Sequence, residues 1–486
     1  MKHFTHIIFF ILVWMGFSCT MTQPETSQEF VYSELAPTPP MGWNSFDAYD
    51  SRINEVEFKA TVDYMAEHLK PHGYEYAVVD YIWWHPEPGN WDNSRRKGHP
   101  NIRYERDGKP LHPEHITMDE YGRLLPAVER FPSAANGEGF KPLADYVHSK
   151  GLKFGIHIMR GIHRSAVYYN TPIKGTEHTA GQIGEPWDTC EWCNHMYGVD
   201  PSKPSAQEYY NSLFELYAGW GVDYIKADDI LRPVYHRGEV ELIRNAIEHC
   251  GRPMVLSLSP GEAPLSDAKH LSENAHLWRI SNDLWDEWED IEHNFELLER
   301  WSSCIGPGNW PDGDMIPVGK ISLDDRPHGP ERMTMLTWNE QVLLMSLWSI
   351  ARSPLMIGAD LLTLPDSTLW LLTNDEVLYV NQHSTDNRQV IRQDSRNVRS
   401  GEKKQYYAIW TAKDPDNGDK FVGLFNLLDE ESEVCFNMEW EMLRGKYLVR
   451  NLWQKTDIGA TEGTLCATLG AHGAALYRLS KQFSIQ

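Results

Sequence analysis

Short apolar runs that alternate with stretches of helical spacing constrain this chain more than any other feature. The runs are 41–46, 74–80, 153–158, 223–228, 253–259, 277–283, 309–315 and 353–360. Between them, helical periodicity is found at 55–69, 141–150, 206–219, 240–249, 286–302 and 340–351. Strand and helix repeated eight times predict a (β/α)8 barrel, because strands covered on both faces read as continuous apolar runs. A doubly wound open sheet is the rival. The polar residues at the C-terminal ends of the runs decide for the barrel: Asp80, His157, Asp228, Ser259, Asp283 and Asp314 would converge on one mouth, where barrels carry their active sites.

The remaining segments divide around that barrel, which is expected over 36–385. Beyond Gln382 come shorter alternating runs at 406–410, 421–425, 447–449 and 474–477, separated by Asp, Asn and Gly, and they predict a small antiparallel β-sandwich over 386–486. At the other end, Lys2 and His3 precede an apolar run, 7–17, that stops at Ser18 and Cys19. This pattern reads as an export signal over 1–19, and its end resembles a bacterial lipoprotein cleavage site. The expectation is an exported protein, periplasmic or anchored to the outer membrane by lipid on Cys19, with free secretion as the runner-up; residues 20–35 are a polar tether. No later run reaches the roughly 20 apolar residues that cross a bilayer.

The long connections 81–138 and 160–204 are expected to build subsites or lids, with Trp83, Trp84 and Trp91 as candidate stacking platforms. Cys190 and Cys193 in the second connection suggest a disulfide across a tight turn or two thiols rather than zinc, since no second ligand pair follows. A formal net charge of −24 opposes binding to phosphate backbones, so nucleic acid is excluded as a partner and a neutral ligand is favoured.

Two strand ends carry the candidate chemistry. In the fourth run Lys226 and Asp228 alternate onto one face, and a carboxylate beside a fixed ammonium stays ionised, as a nucleophile toward a cationic sugar centre must. A structural ion pair would give the same pattern. The sixth run supplies Asp283, four residues after Arg279. Two carboxyl groups across one mouth are what glycosidic cleavage requires, one attacking the anomeric carbon while the other protonates the leaving oxygen. Neither metal nor cofactor is expected, because no His-x-His or similar ligand pair stands at a strand end.

Five motifs in order carry a family resemblance: Pro40-Met-Gly-Trp-Asn-Ser45, Lys226-x-Asp228, Arg279-x-x-x-Asp283, Gly308-Asn-Trp-Pro-Asp-Gly-Asp-Met315 and Ser353-Pro-Leu-Met-Ile-Gly358. The chain resembles glycoside hydrolase family 27, the α-galactosidase and α-N-acetylgalactosaminidase family, over about residues 36–385. The resemblance implies Asp228 as nucleophile and Asp283 as acid/base of a retaining double displacement. It implies Lys226, Arg279 and Asp80 as ligands of the sugar hydroxyls, with Trp43, Phe46, Tyr81, His157, Ser259 and Asp314 completing the substrate-binding set. His157 replaces a tyrosine common in the family and either bonds substrate or orients a catalytic carboxylate.

One departure bears on the sugar. Typical α-galactosidases have two consecutive aspartates at the end of the second strand, where this chain has Asp80-Tyr81. A phenol in place of the second acceptor tolerates a sugar without a hydroxymethyl group, and β-L-arabinopyranose is the galactose shape without it. The expected activity is hydrolysis of terminal α-D-galactosides, with β-L-arabinopyranosidase as the alternative, and the natural partner is a galactose- or arabinopyranose-containing oligo- or polysaccharide. The small Ser259 keeps α-N-acetylgalactosaminidase open as a weaker option. A non-catalytic surface carbohydrate-binding protein is the reading from another class.

Overall fold

A computed structural model describes residues 1, 31–88, 116–190, 192, 195–232, 234–323, 330–395 and 405–482. The export signal, most of the tether, Trp91 and Cys193 lie outside the described residues. Each of the eight expected runs contains a strand: β1 (Met41–Asn44), β2 (Tyr76–Val79), β3 (Lys153–Met159), β4 (Tyr224–Asp228), β5 (Val255–Leu258), β6 (Leu277–Arg279), β7 (Trp310–Asp312) and β8 (Leu355–Ile357). Neighbours pair in parallel in the order β7-β6-β5-β4-β3-β2-β1-β8. A parallel bridge between Ile316 and Ile357 joins the segment after β7 to β8, and the Ile316 N–H donates to the Met356 carbonyl at 2.7 Å, closing the ring. The open sheet is thereby excluded.

Helices α1 (Glu55–His68), α2 (Lys141–Ser149), α3 (Ala206–Trp220), α4 (Arg237–Cys250), α5 (Ala268–Asn274), α6 (Trp288–Trp301), α7 (Trp338–Ile350) and α8 (Asp375–His383) follow the strands in turn. Side chains facing outward, such as Ala77, Phe154, Ile156, Ile225, Leu256 and Trp278, are buried beneath them. The inward set has two tiers. Tyr76, Val78, Tyr224, Val255, Leu277, Trp310 and Met356 form a dry plug with Ala36. Gly155 makes room for it, since a Cβ there would lie 2.8 Å from Val78 Cγ2 and 3.1 Å from Tyr224 Cβ. One pleat further on, the inward positions become polar at Asp80, Lys226, Asp228 and Arg279, because period-2 alternation returns each strand to the same face.

Strands β9 (Thr385–Asp394), β10 (Tyr406–Lys413), β11 (Lys420–Asn426), β12 (Ser432–Asn437), β13 (Tyr447–Asn451), β14 (Thr456–Thr461), β15 (Thr464–Leu469) and β16 (Ala474–Lys481) build the C-terminal domain. A six-stranded antiparallel sheet, β9-β10-β11-β16-β13-β14, faces the pair β12-β15. Ile409, Val422, Leu424, Val434, Phe436 and Leu479 fill the space between them. The other face of the large sheet, with Ala408, Trp410, Phe421 and Phe425, joins the barrel core. Cys435 and Cys466 are register partners across β12 and β15 and form a disulfide that the Cys190–Cys193 expectation did not foresee.

The structure corrects three aromatic assignments. Trp83 and Trp84 are buried core residues rather than stacking platforms, and the Trp83 indole donates to the His157 carbonyl at 2.7 Å. Trp43, expected to touch substrate, is fully buried on the outer face of β1, where it donates to the Ala359 carbonyl at 2.8 Å and packs on Tyr49 and Phe58. Its neighbours Gly42 and Asn44 take the inward positions.

Candidate active site

Asp80 stands one residue past β2, and three donors converge on it. Asn44 Nδ2 and Lys226 Nζ reach its Oδ2 at 2.7 and 2.9 Å, and the Tyr81 N–H reaches Oδ1 at 2.7 Å. Burial alone would raise its pKa, but the Lys226 ammonium, His157 and the two side-chain hydrogen bonds bring it down to about 2. Lys226 answers in kind: burial opposes its charge, yet Asp80, Asp228 and Asp314 raise its pKa above the ordinary lysine value. The pair is a fixed acceptor and a fixed cation on the cavity floor.

Asp228 ends β4. His157, directly opposite Lys226 in the β3–β4 register, holds Asp228 Oδ2 through Nε2 at 2.8 Å, and the Asp229 N–H donates to Oδ1 at 2.6 Å. His157 is fully buried and its Nδ1 has no partner among the described residues, so the hydrogen sits on Nε2. The orienting role, not substrate contact, is the one this geometry supports. Asp229 turns the chain with a φ of 59°, and Arg160 braces the turn by donating from Nε to the Asp229 carbonyl at 2.7 Å. Arg160 also bonds Asp188 and Glu239. Asp188, His236 and Glu239 are close enough to share a cation, but this guanidinium already supplies their positive charge.

Across the mouth, Arg279 at the end of β6 donates to Asp314 Oδ2 at 2.7 Å and to Asp283 Oδ1 at 3.3 Å. Asp314, held in a left-handed turn with φ 94°, also accepts the Leu284 N–H at 2.8 Å. It therefore ties β7 to the loop carrying Asp283, a positioning function beyond the expected sugar contact. Burial, with Asp283 and Asp312 nearby and against the pull of Arg279, pushes Asp314 up to about 7. The Asp283 side chain itself is 55% exposed, against 14% for Asp228. One carboxylate is recessed and fixed; the other faces the opening.

These groups line a cavity of about 400 Å3, a volume that suits one sugar ring with room for part of a second. Asp80, Tyr81, Phe46, Lys226, Asp228, Ser259, Arg279, Asp283 and Asp314 all line it, whereas His157 stands behind Asp228 and Trp43 lies outside. Ser259 is buried with its hydroxyl unpartnered among the described residues. Tyr81 forms an aromatic wall with Phe46, edge-on at 6.5 Å, and Trp192, tilted at 5.5 Å. Sequence reasoning missed Asn44, Asp47, Trp192, Arg232 and Trp285. Asn44 was legible as the inward partner of Gly42, while Trp192 and Trp285 come from loops whose course no periodicity reveals.

Comparison with known proteins agrees with this architecture. The family described as alpha galactosidase A matches residues 198–383, and the alpha galactosidase C-terminal beta sandwich domain matches 404–479. Alpha-galactosidase 3 of Arabidopsis thaliana is 27% identical over 460 residues, 92% of this chain and 83% of its own length. Alpha-N-acetylgalactosaminidase of Gallus gallus is 26% identical over 373 residues, 72% of this chain and 71% of its own. The crystal structure of a family 27 β-L-arabinopyranosidase from Geobacillus stearothermophilus shares 45% identity, covering 94% of this chain and 99% of that one at a TM-score of 0.84. A full-length match at that identity, on a barrel and sandwich joined in the same order, makes this chain a glycoside hydrolase and a member of glycoside hydrolase family 27.

Proposed function

We propose that the enzyme removes terminal β-L-arabinopyranosyl residues, with terminal α-D-galactosides as its second substrate, by a retaining double displacement. The aromatic wall at Tyr81 carries the choice of sugar. Beside Asp80, where a second carboxylate would serve a 6-hydroxyl, a buried ring packs against Phe46, Trp192 and His157. A hydroxymethyl group turned toward that wall would trade water for aromatic rings where a carboxylate acceptor would otherwise stand, at a cost of about 1–3 kcal/mol. The 45% identical Geobacillus enzyme is a β-L-arabinopyranosidase, and a variant of it was crystallised with arabinose. Its coverage and identity support the same preference here.

In the first step Asp228 attacks the anomeric carbon while Asp283, at the open side, gives its proton to the departing oxygen. In the second, Asp283 takes a proton from water, and the water oxygen displaces Asp228 from the sugar. Asp80 and Lys226 hold the ring hydroxyls, and Arg279 holds Asp283 and Asp314 in place. The small Ser259 favours a second reading as a minor activity: it lines the cavity where a larger side chain would take up the space that a 2-acetamido substituent needs.

The test is kcat/KM on matched nitrophenyl β-L-arabinopyranoside, α-D-galactopyranoside and N-acetyl-α-D-galactosaminide, with the product anomer followed by NMR. Arabinopyranoside preferred over galactoside with retained configuration is expected. A galactoside preference would overturn the role given to Tyr81, an inverted product the displacement, and no turnover would favour the non-catalytic binding protein. We also propose export with lipid on Cys19, which the apolar run 7–17 and the Cys435–Cys466 disulfide support. Cys19→Ala should then move the protein from the membrane to the soluble fraction; unchanged fractionation would refute the anchor.

A further inference from the structure

The cavity contains one carboxyl group that the reaction described above does not use. Asp47 follows Phe46 on the short helix Phe46–Tyr49 that leaves β1. It lines the cavity, is only 2% exposed, and receives no hydrogen bond from any described residue; its Oδ2 is fully buried without a partner. The contrast with Asp80 and Asp228, each held by two or more donors, is sharp. A buried carboxyl left unsatisfied is costly, so its persistence at a ligand site calls for a partner that arrives with the ligand.

The fold also makes space for it at a neighbour's expense. Gly358, just past β8, lies against the Asp47 carboxyl: a Cβ there would be 1.8 Å from Oδ2 and 2.4 Å from Cγ. The Ala48 N–H donates to the Gly358 carbonyl at 3.1 Å, locking the two segments together. Asp47 is therefore held in a glycine-lined slot and cannot easily turn away from the cavity.

We propose that Asp47 is a sugar-binding residue of the catalytic subsite, its carboxyl making a hydrogen bond to a hydroxyl oxygen of the bound glycone. This inference rests on the glycosidase reading of the same cavity. The groups around it fix the sense of that bond. Asp314 from the β7 end, Asp80 from the β2 end and Asp283 from the β6 loop disfavour a further negative charge, and Lys226 from β4 is the one cation among the groups acting on it; Gly358 of the β8 end adds none. Burial, reinforced by those carboxylates, raises Asp47 well above the usual aspartate range. Asp47 is thereby biased toward its protonated, O–H-donating form, beside Asp80, which the Lys226 ammonium keeps ionised near neutral pH. A sugar hydroxyl is both donor and acceptor, and the two aspartates read its two faces.

Three single variants of the full-length enzyme and one double variant test this on nitrophenyl β-L-arabinopyranoside and α-D-galactopyranoside, together with inhibition by free L-arabinose and D-galactose. Asp47→Asn keeps an N–H donor and should stay within about threefold of wild type near neutral pH. Asp47→Ala should weaken monosaccharide inhibition and raise KM by about tenfold. Gly358→Ala should reproduce that loss by displacing the carboxyl, and in the double variant the two losses should not add, because the methyl group then occupies vacated space. The pH profile separates binding from scaffolding: wild type should lose affinity as Asp47 ionises on the alkaline side, while Asp47→Asn should not. If Asp47→Ala binds both monosaccharides within twofold of wild type, or Asp47→Asn shows an unchanged alkaline limb, the assignment to Asp47 falls while the glycosidase reading stands. If wild type neither cleaves the glycosides nor binds the sugars, both fall together.

Discussion

Replacing Asp283 with alanine should separate the two chemical steps. Its side chain is 55% exposed, and its one ion pair among the described residues is to Arg279 at 3.3 Å. Arg279 retains Asp314 at 2.7 Å in the variant, so no buried cation is orphaned and the stability cost should stay below about 1 kcal/mol. The rate effect is larger. General acid assistance is worth about 10²- to 10⁴-fold, or roughly 3–5 kcal/mol, and it is needed in proportion to the basicity of the leaving oxygen. For an alkyl or sugar aglycone kcat/KM should fall by that full factor. For a dinitrophenolate, which departs without a proton, the first step should fall less than about tenfold, and release of the glycosyl-enzyme should become limiting because Asp283 also activates the water. Stopped-flow kinetics would show a burst of phenolate followed by slow turnover. Azide, a nucleophile that needs no base, should restore turnover and yield a glycosyl azide of retained anomeric configuration. Equal losses on both aglycones, or an azide of inverted configuration, would refute the acid/base assignment.

Three further substitutions probe the groups behind the reacting pair. Asp80 lies near 2 in the fold against 3.8 for an unperturbed aspartate, so the stability it adds is complete above about pH 4 and is lost as the pH falls toward 2. The difference amounts to roughly 2.4 kcal/mol. Lys226→Met should lower Tm near neutrality, and the gap to wild type should narrow below pH 4; a gap independent of pH would contradict the pairing. His157→Leu removes the donor to Asp228 and should cut kcat about 10- to 100-fold with KM little changed, while His157→Gln should recover part of the loss; an effect confined to KM would return His157 to direct sugar contact. Tyr81→Ala opens the aromatic wall and should shift the ratio of galactoside to arabinopyranoside kcat/KM upward by about tenfold, measured on the matched pair; an unchanged ratio would mean that the wall does not read the 6-position.

The barrel was legible because its signals are local. A buried parallel strand needs an unbroken apolar run, and every run from 41–46 to 353–360 contains one of the eight strands. The ends were harder to place. The sixth run, read as strand to Asp283, leaves the sheet after Arg279, since the last four residues serve the loop that Asp314 holds through the Leu284 N–H. In the sandwich, β9, β12, β14 and β15 escaped notice. Ser432, Val434 and Phe436 do alternate into the core, but β14 is exposed along most of its length and carries no apolar period to read.

The site shows where such locality ends. Lys226 and Asp228 could be placed on one face from spacing alone, whereas the partner of each is remote in sequence: Lys226 meets Asp80, and Asp228 meets His157. Trp43 illustrates the opposite error. It belongs to a motif whose Asn44 holds Asp80 at the cavity, yet alternation sets Trp43 on the far side of β1 from Asn44, so motif membership misplaced a residue that period 2 alone would have placed correctly. Asp47 carries no sequence signal at all, because what distinguishes it is the absence of donors around it. That absence depends on a glycine more than 300 residues away and on carboxylates from three other strand ends. A residue type announces that a hydrogen bond is possible; only the packed neighbourhood shows which bonds the protein has left for its substrate to make.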